Sequence, residues 1–534
     1  MVCAQGAGHL PARGSRRATR AACRSTARST PTVVYAMRCQ LAAACLLLAS
    51  SAAPTDLTLD GVVYVSRHGV RAPYGPIVDA AGTAAANDDW SAWTSKAAKN
   101  AEDYGMDADA FAAQELTPHG MALMPLLGSY VADRWRALGL DVGGDWAIFA
   151  DDSTRDWQTA ALWLEGAGRG DVPVRVGNAS LPNLIPVLSD SVLYGAGADA
   201  TEEQTLGLFG GDVAALTAAY EDDMADIGRA LGFADDAPIC AALGVADDCA
   251  IANLPYKFTG IYWQGMFTCP LYYAQFFAEA WMFEYLSGVD DFAFGALTGS
   301  EVAKLYESHI AMMAFATNHW NAVGYGSAAL GWIAAALVQR ATGVSFGAAA
   351  MADATPESSV VALFVHDTNQ LYLRKLLGLQ WIARGWQGNA ASTGGALSFE
   401  LHCAGTQGAA DRRCFVKTRY TVASPRQQRE ATVLDATTPP SEAVLVLPGC
   451  GVELCPLAAF VGVVLDAVCF DCVGEPVRGV LGRLADHAAE PPAEEACDAA
   501  PAWQQALSLL GAAAFGASLA LFVAWCLRVR RHRR

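Results

Sequence analysis

Two apolar runs set far apart in the chain, Val62-Val63-Tyr64-Val65 and Val360-Val361-Ala362-Leu363-Phe364-Val365, each break off directly into a charged string. Neither run alternates with polar residues, so both read as short strands buried on both faces of one sheet. Open α/β sheets place their chemistry at strand ends. The strings that follow the two runs are therefore where function is to be sought.

The first run leads into Ser66-Arg67-His68-Gly69-Val70-Arg71-Ala72-Pro73, a polar loop with an imidazole between two guanidiniums. Each guanidinium is a planar fork of donors that matches phosphate oxygens and stays charged at any relevant pH. Nearby cations depress the pKa of His68 and keep a ring lone pair available for attack. Gly69 is expected to leave room for a ligand and Pro73 to stiffen the exit. The bland alternative is a surface loop whose arginines pair with carboxylates.

The second run leads into His366-Asp367-Thr368-Asn369. Two different side chains emerge together there. His366 can donate a hydrogen bond to a phosphoryl oxygen, and Asp367 can hand a proton to a departing alkoxide. A third strand, Trp146–Ala150, precedes Asp151-Asp152-Ser153-Thr154-Arg155 and a helix expected to begin near Trp157. A helix N-terminus beside Arg155 would add backbone donors for an anion.

Arg67-His68-Gly69-x-Arg71-x-Pro73 after a strand, followed far downstream by His366-Asp367-Thr368-Asn369, resembles the signature of the histidine acid phosphatases, the branch 2 histidine phosphatases. The motifs are most similar to those of bacterial-type phytases and lysosomal-type acid phosphatases. The resemblance spans roughly residues 58–462 with a weakly matched middle, and it includes Leu116-Thr117-Pro118-x-Gly120 and the Gly449-Cys450…Cys455-x-Leu457-x-x-Phe460 ending. It implies His68 as nucleophile, Asp367 as proton donor, and Arg67, Arg71, Arg155 and His366 as phosphate ligands, with no cofactor and no metal. Asp156 stands where relatives commonly have Thr. Gly75 stands where phytases of this type commonly carry Lys, which weakens the case for a polyanion such as phytate.

The resemblance also implies a mixed sheet flanked by helices, with a smaller, mostly helical domain inserted. The chain's own rhythm agrees. Residues 54–161 read as the first part of an α/β catalytic domain. Residues 162–345, Ala-rich and aromatic, read as the helical insertion, and 346–472 as the second part of the α/β domain. Within these, Leu123, Leu127, Val131, Trp135 and Leu138 form a helical stripe, with His119 as a helix-start residue. The aromatics of Leu271–Phe277 read as core packing, and Gly394-Gly395 and the Cys450–Cys455 loop as scaffold.

The ends read differently. Residues 1–36 hold six arginines and no acidic residue: an Arg-rich leader, or a start called too early. Residues 37–53 read as a signal peptide, with Met37 the functional start. Residues 473–505 are expected to form a stalk, including the charged stretch Glu490–Glu495. The uncharged run 506–527 is expected to cross a membrane, with the basic tail 528–534 in the cytosol. This describes a type I membrane protein whose catalytic domain is extracellular or lumenal, at a cell surface or in a lysosome-like or vacuolar compartment.

Charge supports that division. Setting aside the six N-terminal and five C-terminal arginines leaves 25 basic against 54 acidic residues, a balance of −29. No nucleic-acid partner suits it. Ten cysteines lie between the two apolar ends, an even number that fits an oxidising compartment. Cys240 with Cys249, Cys403 with Cys414, and Cys450 with Cys455 are near enough for local bridges, and Cys469-x-x-Cys472 has redox-like or zinc-like spacing. Asn178-Ala179-Ser180 is a glycosylation sequon.

The expected function is hydrolysis of small phosphate monoesters, with phytate as a candidate, through a phosphohistidine intermediate at acidic pH. A bound phosphate would raise Asp367 toward its acid form. The alternatives are a phosphate-binding ectodomain without turnover and a phosphomutase-like transferase, whose mark would be an acceptor other than water.

Overall fold

The computed structural model describes residues 56–489, apart from internal stretches of which 74–89, 107–114, 178–205, 259–266 and 347–354 are the longest. The leader, the signal peptide, Gly75, the Asn178 sequon, the Glu490–Glu495 stretch, Cys497, the apolar run 506–527 and the basic tail lie outside the described residues.

One eight-stranded sheet carries the α/β part. Its strands are β1 (Thr58–Arg67), β2 (Asp145–Ala150), β3 (Val174–Val176), β6 (Ser358–Val365), β7 (Ala396–Ala404), β8 (Arg413–Val422), β9 (Ser441–Leu445) and β10 (Cys455–Pro456). The order is β10-β8-β7-β1-β6-β2-β3, with β9 also on β8. β1, β6, β2 and β3 run parallel, Val62 facing Val360 and Arg67 facing Val365. β7 is antiparallel to β1, and β8 to β7, so the sheet is mixed as expected.

The unbroken apolar runs have a direct cause: both faces of the central strands are covered. Val63, Val65, Val361, Leu363 and Val365 face one layer, while Val62, Tyr64, Val360, Ala362 and Phe364 face the other. On the second face lie α1 (Pro118–Ala137) and α2 (Thr154–Gly166). Trp163 stacks on Tyr64 with ring centroids 5.2 Å apart and meets Phe364 edge-on at 5.5 Å. Each such fully buried aromatic contributes about 2–3 kcal/mol. The expected α1 stripe is present through Leu127, Val131 and Trp135. Met124 is buried where Leu123 is only partly so, and Leu138 caps the helix 37% exposed.

Between β3 and β6 helices dominate, chiefly α3 (Pro270–Leu286), α4 (Gly299–Ala316) and α5 (Ser327–Thr342); β4 (Lys257–Phe258) and β5 (Phe267–Thr268) pair only with each other. β3 extends the main sheet past residue 162. The aromatics of α3 are core, Tyr272, Tyr273 and Phe277 all being buried. α5 lies against β1 and β7. The stretch Asn321–Thr342 that contains it is long and apolar enough to cross a membrane, but 94% of its most apolar window is buried inside the protein.

After α6 (Asp367–Leu377) and β7–β10 come α7 (Leu457–Ala467) and α8 (Glu475–Ala489). α8 corrects the expectation of a stalk from residue 473. Val477, Val480, Leu481 and Leu484 recur at helical spacing and are all buried, so this segment docks on the core instead of reaching away from it. Among the described residues four disulfides close: Cys240–Cys249, Cys403–Cys414, Cys450–Cys455 and Cys469–Cys472. The first three match the local pairs. The fourth uses the Cys469-x-x-Cys472 sulfurs for a bridge, not for a metal.

Candidate active site

The parallel register brings the C-terminal ends of β1, β6 and β2 side by side, and each end delivers its charged string to the same place. β1 ends on Arg67 and His68. The backbone there is tied in by His68 N–H to Val365 O at 3.0 Å, Arg67 N–H to Gly395 O at 2.9 Å, and Gly394 N–H to His68 O at 2.9 Å. Gln370 of α6 donates from Nε2 to Val65 O and Gly395 O. The Gly394-Gly395 turn is thus scaffold that holds the backbone of Arg67 and His68.

Gly69 works differently from expectation. A Cβ there would meet the Met124 side chain at 3.1 Å and Leu116 at 3.4 Å, so the missing side chain makes room for α1, not for a ligand. Gly120 serves the same junction, since a Cβ on it would stand 1.9 Å from Val70 O. His119 donates from Nε2 to Gln428 O at 2.7 Å, a structural tie as expected of a helix-start residue.

His68 is buried, 2% exposed. Its Nδ1 lies 2.8 Å from Gly69 O. A carbonyl can only accept, so Nδ1 carries the hydrogen and Nε2 keeps the lone pair. Burial, then the charges of Arg155, Arg67 and Arg71 and the His366 ring, push the His68 pKa well below the usual imidazole value. The ring therefore stays neutral in mild acid. His366 stands beside it, ring centroids 5.6 Å apart.

Arg155 falls in the first turn of α2, which begins at Thr154, three residues earlier than expected. Its Nη2 lies 3.4 Å and 3.5 Å from the two ring nitrogens of His366. Thr159 bonds both Arg155 O and Gly69 N–H, coupling α2 to the loop after β1. His366 caps α6, its backbone N–H donating to Asn369 Oδ1 at 3.1 Å. Its Nε2 donates to Asp151 Oδ2 at 2.9 Å, which leaves Nδ1 for another partner. Burial raises the Asp151 carboxyl, but the bonds from His366 and from the Asp152 backbone bring it below the ordinary value.

Asp367 opens α6 and meets Arg67, Oδ2 to Nη2 at 2.9 Å. Burial raises its pKa, yet Arg67, His309 and His366 together hold it below the usual carboxylate value. Arg67 also donates to Ala391 O at 2.8 Å and to Glu279 Oε1 at 3.2 Å. Glu279 Oε2 reaches Arg71 Nη2 at 3.5 Å, and the Arg71 guanidinium lies 4.4 Å from the Phe283 ring centre. All six residues singled out in the sequence thus converge on one site: Arg67, His68, Arg71, Arg155, His366 and Asp367.

Residues 58–178 match the histidine phosphatase superfamily (branch 2). The match covers 121 of the 534 residues, Arg67, His68, Arg71 and Arg155 among them. The phytase AppA of Escherichia coli (strain K12) is 26% identical over 441 residues, 77% of this chain and 92% of that protein. The Hafnia alvei phytase, solved with myo-inositol hexakis sulphate, superposes with a TM-score of 0.66 at 21% identity, covering 79% of this chain and 100% of that one. The Citrobacter braakii phytase gives 0.63 at 21% identity, over 78% and 100%.

The site also holds residues that sequence reasoning missed. Glu279 of α3 bridges Arg67 and Arg71. Burial raises its carboxyl, but His309, Arg71 and Arg67 pull it below the ordinary value. His309 of α4 donates from Nδ1 to Gln275 Oε1 at 2.8 Å, and its Nε2 faces Glu279 at 3.6 Å and Asp367 at 3.9 Å. The available signal was a pair of acids, Glu279 and Glu284, in a helix otherwise almost wholly apolar: both are buried, and a charge there needs a partner.

Among the described residues two side-chain sets could offer three donors to a cation: Asp151, Asp156 and His366, and Glu279, His309 and Asp367. In each a guanidinium already stands against the carboxylates, Arg155 in the first and Arg67 in the second. Both sets suit anion binding through those arginines better than a metal.

Proposed function

We infer that this phosphoric monoester hydrolase works by in-line attack of His68 Nε2 on a phosphate monoester. The observation that carries the reading is the buried, neutral His68, its Nδ1–H fixed on Gly69 O within the field of three arginines. The N–P bond forms as the ester P–O bond breaks, and the leaving oxygen takes a proton from Asp367. Water then attacks the phosphohistidine, Asp367 accepts its proton, and His68 leaves with its lone pair restored. Arg67, Arg71, Arg155 and His366 hold the equatorial oxygens, where transition-state charge is spread.

Asp367 must be protonated for its first role, although Arg67 holds it ionised in the unliganded site. A phosphate that takes over Arg67 weakens that hold and raises the Asp367 pKa. This favours acidic working conditions.

The substrate range is broad small phosphate monoesters, phytate among them, with Gly75 in place of a cation arguing against strong preference for the polyanion. The four disulfides fit an extracellular or lumenal setting. Anchoring as a type I membrane protein rests on the 506–527 run and the basic tail. The test is phosphate release by the purified full chain from phytate and from an aryl phosphate at acidic pH: the ratio of the two reports the range. A folded protein that releases phosphate from neither contradicts the reading.

A further inference from the structure

The first turn of α2 sends two side chains in different directions. Arg155 goes to the phosphate site, and Asp156 goes beneath it. Asp156 is fully buried, and neither of its carboxylate oxygens has a hydrogen-bond partner. Oδ2 lies 3.5 Å from His366 Nε2 and 4.0 Å from Arg155 Nε, while the hydrogen bond of that Nε2 goes to Asp151. A helix start and a hydrogen-bonded imidazole would be complete without this second carboxylate, so a packing role does not explain an acid here.

A buried carboxyl without donors favours its neutral form, and once ionised it is a charge beside the two groups placed to hold a phosphoryl group. We propose that Asp156 is a pH-dependent specificity residue: neutral in acid, it leaves Arg155 and His366 to the phosphate, and ionised toward neutrality it competes with the phosphate for them. This would set the upper edge of the working pH range. Burial pushes the carboxyl up to about 6, against the pull of His366 and Arg155. The charged and titratable groups facing it are Asp151 from the end of β2, with Asp152 beyond, Arg155 on its own helix, His366 before α6 and Arg67 at the end of β1.

The proposal rests on the phosphatase reading, and the experiment separates the two. KM and kcat for an aryl phosphate are measured from pH 4.5 to 7.5 on the full chain, wild type and Asp156→Asn, together with calorimetric binding of inorganic phosphate at both ends of the range. Comparing variant with wild type at each pH cancels the ionisation of the ligand. The ratio of wild-type to variant KM, and of the phosphate dissociation constants, rises from near one at pH 4.5 to about tenfold at pH 7.5, the size expected when a unit charge a few ångströms away is removed. Superimposable profiles overturn the proposal and leave the phosphatase intact. A loss of affinity equal at every pH also overturns it, because that marks a merely structural residue. A wild type that binds phosphate with this pH dependence but turns nothing over sinks the phosphatase reading instead and keeps Asp156. Asp156→Thr, which also removes the charge, gives the same test if the Asn variant does not fold.

Discussion

Arg67 Nη2 lies 2.9 Å from Asp367 Oδ2, so the same guanidinium that faces the phosphate site holds the proposed proton donor in its ionised form. The two roles are linked. In the proposed reaction, substrate oxygens that draw Arg67 away release Asp367 to take a proton, which ties protonation of the acid to occupancy of the site.

Asp367→Asn therefore slows substrates in proportion to how much their leaving oxygen needs a proton. We expect kcat to fall by about 10²–10⁴ for an alkyl phosphate and by far less for an activated aryl phosphate. Steady-state rates on the pair check this; equal losses on both would remove Asp367 from the acid role.

His68 stays neutral in mild acid, because burial and three arginines lower its pKa. Activity should persist below the ordinary imidazole value. A rate that falls off on the acid side with a midpoint near that ordinary value contradicts the electrostatic account of His68.

Glu279 neutralises Arg67 and Arg71 in the unliganded site. In Glu279→Gln the two cations lose a buried partner, which destabilises the fold by about 3 kcal/mol. The same change removes a competitor, so inorganic phosphate binds more tightly. Thermal unfolding and calorimetry check the two effects, and weaker phosphate binding would contradict the second.

Asp156 makes stability depend on pH. Its folded pKa is raised to about 6, so its contribution is fully present below the unfolded value and is lost as pH rises through about 6. Asp156→Asn should be the more stable protein at pH 7.5, by a margin on the order of 2 kcal/mol, with the difference shrinking toward pH 4. A constant offset across that range would show that ionisation is not its cause.

The central sheet was legible because β1 and β6 are buried on both faces, which leaves no polar residue to break the run. Most of the candidate site was legible for a related reason: Arg67, His68 and Arg71, and then His366 and Asp367, stand close together in sequence at strand ends. Glu279 and His309 were not. They come from helices α3 and α4, and only folding brings them to Arg67 and Asp367. Gly69 misled because a glycine beside charged residues suggests ligand space, whereas its Cβ direction points at Met124. α8 was hidden by its exposed, charged face, although its apolar stripe has helical spacing.

The most direct test of the account is phosphate release from an aryl phosphate at acidic pH by the full chain, wild type beside His68→Ala, with acid-stability analysis of the trapped phosphoprotein. The account predicts turnover and an acid-labile phosphoenzyme in the wild type and neither in the variant. A folded His68→Ala protein that still turns over, or a wild type that never carries phosphate on His68, would contradict it.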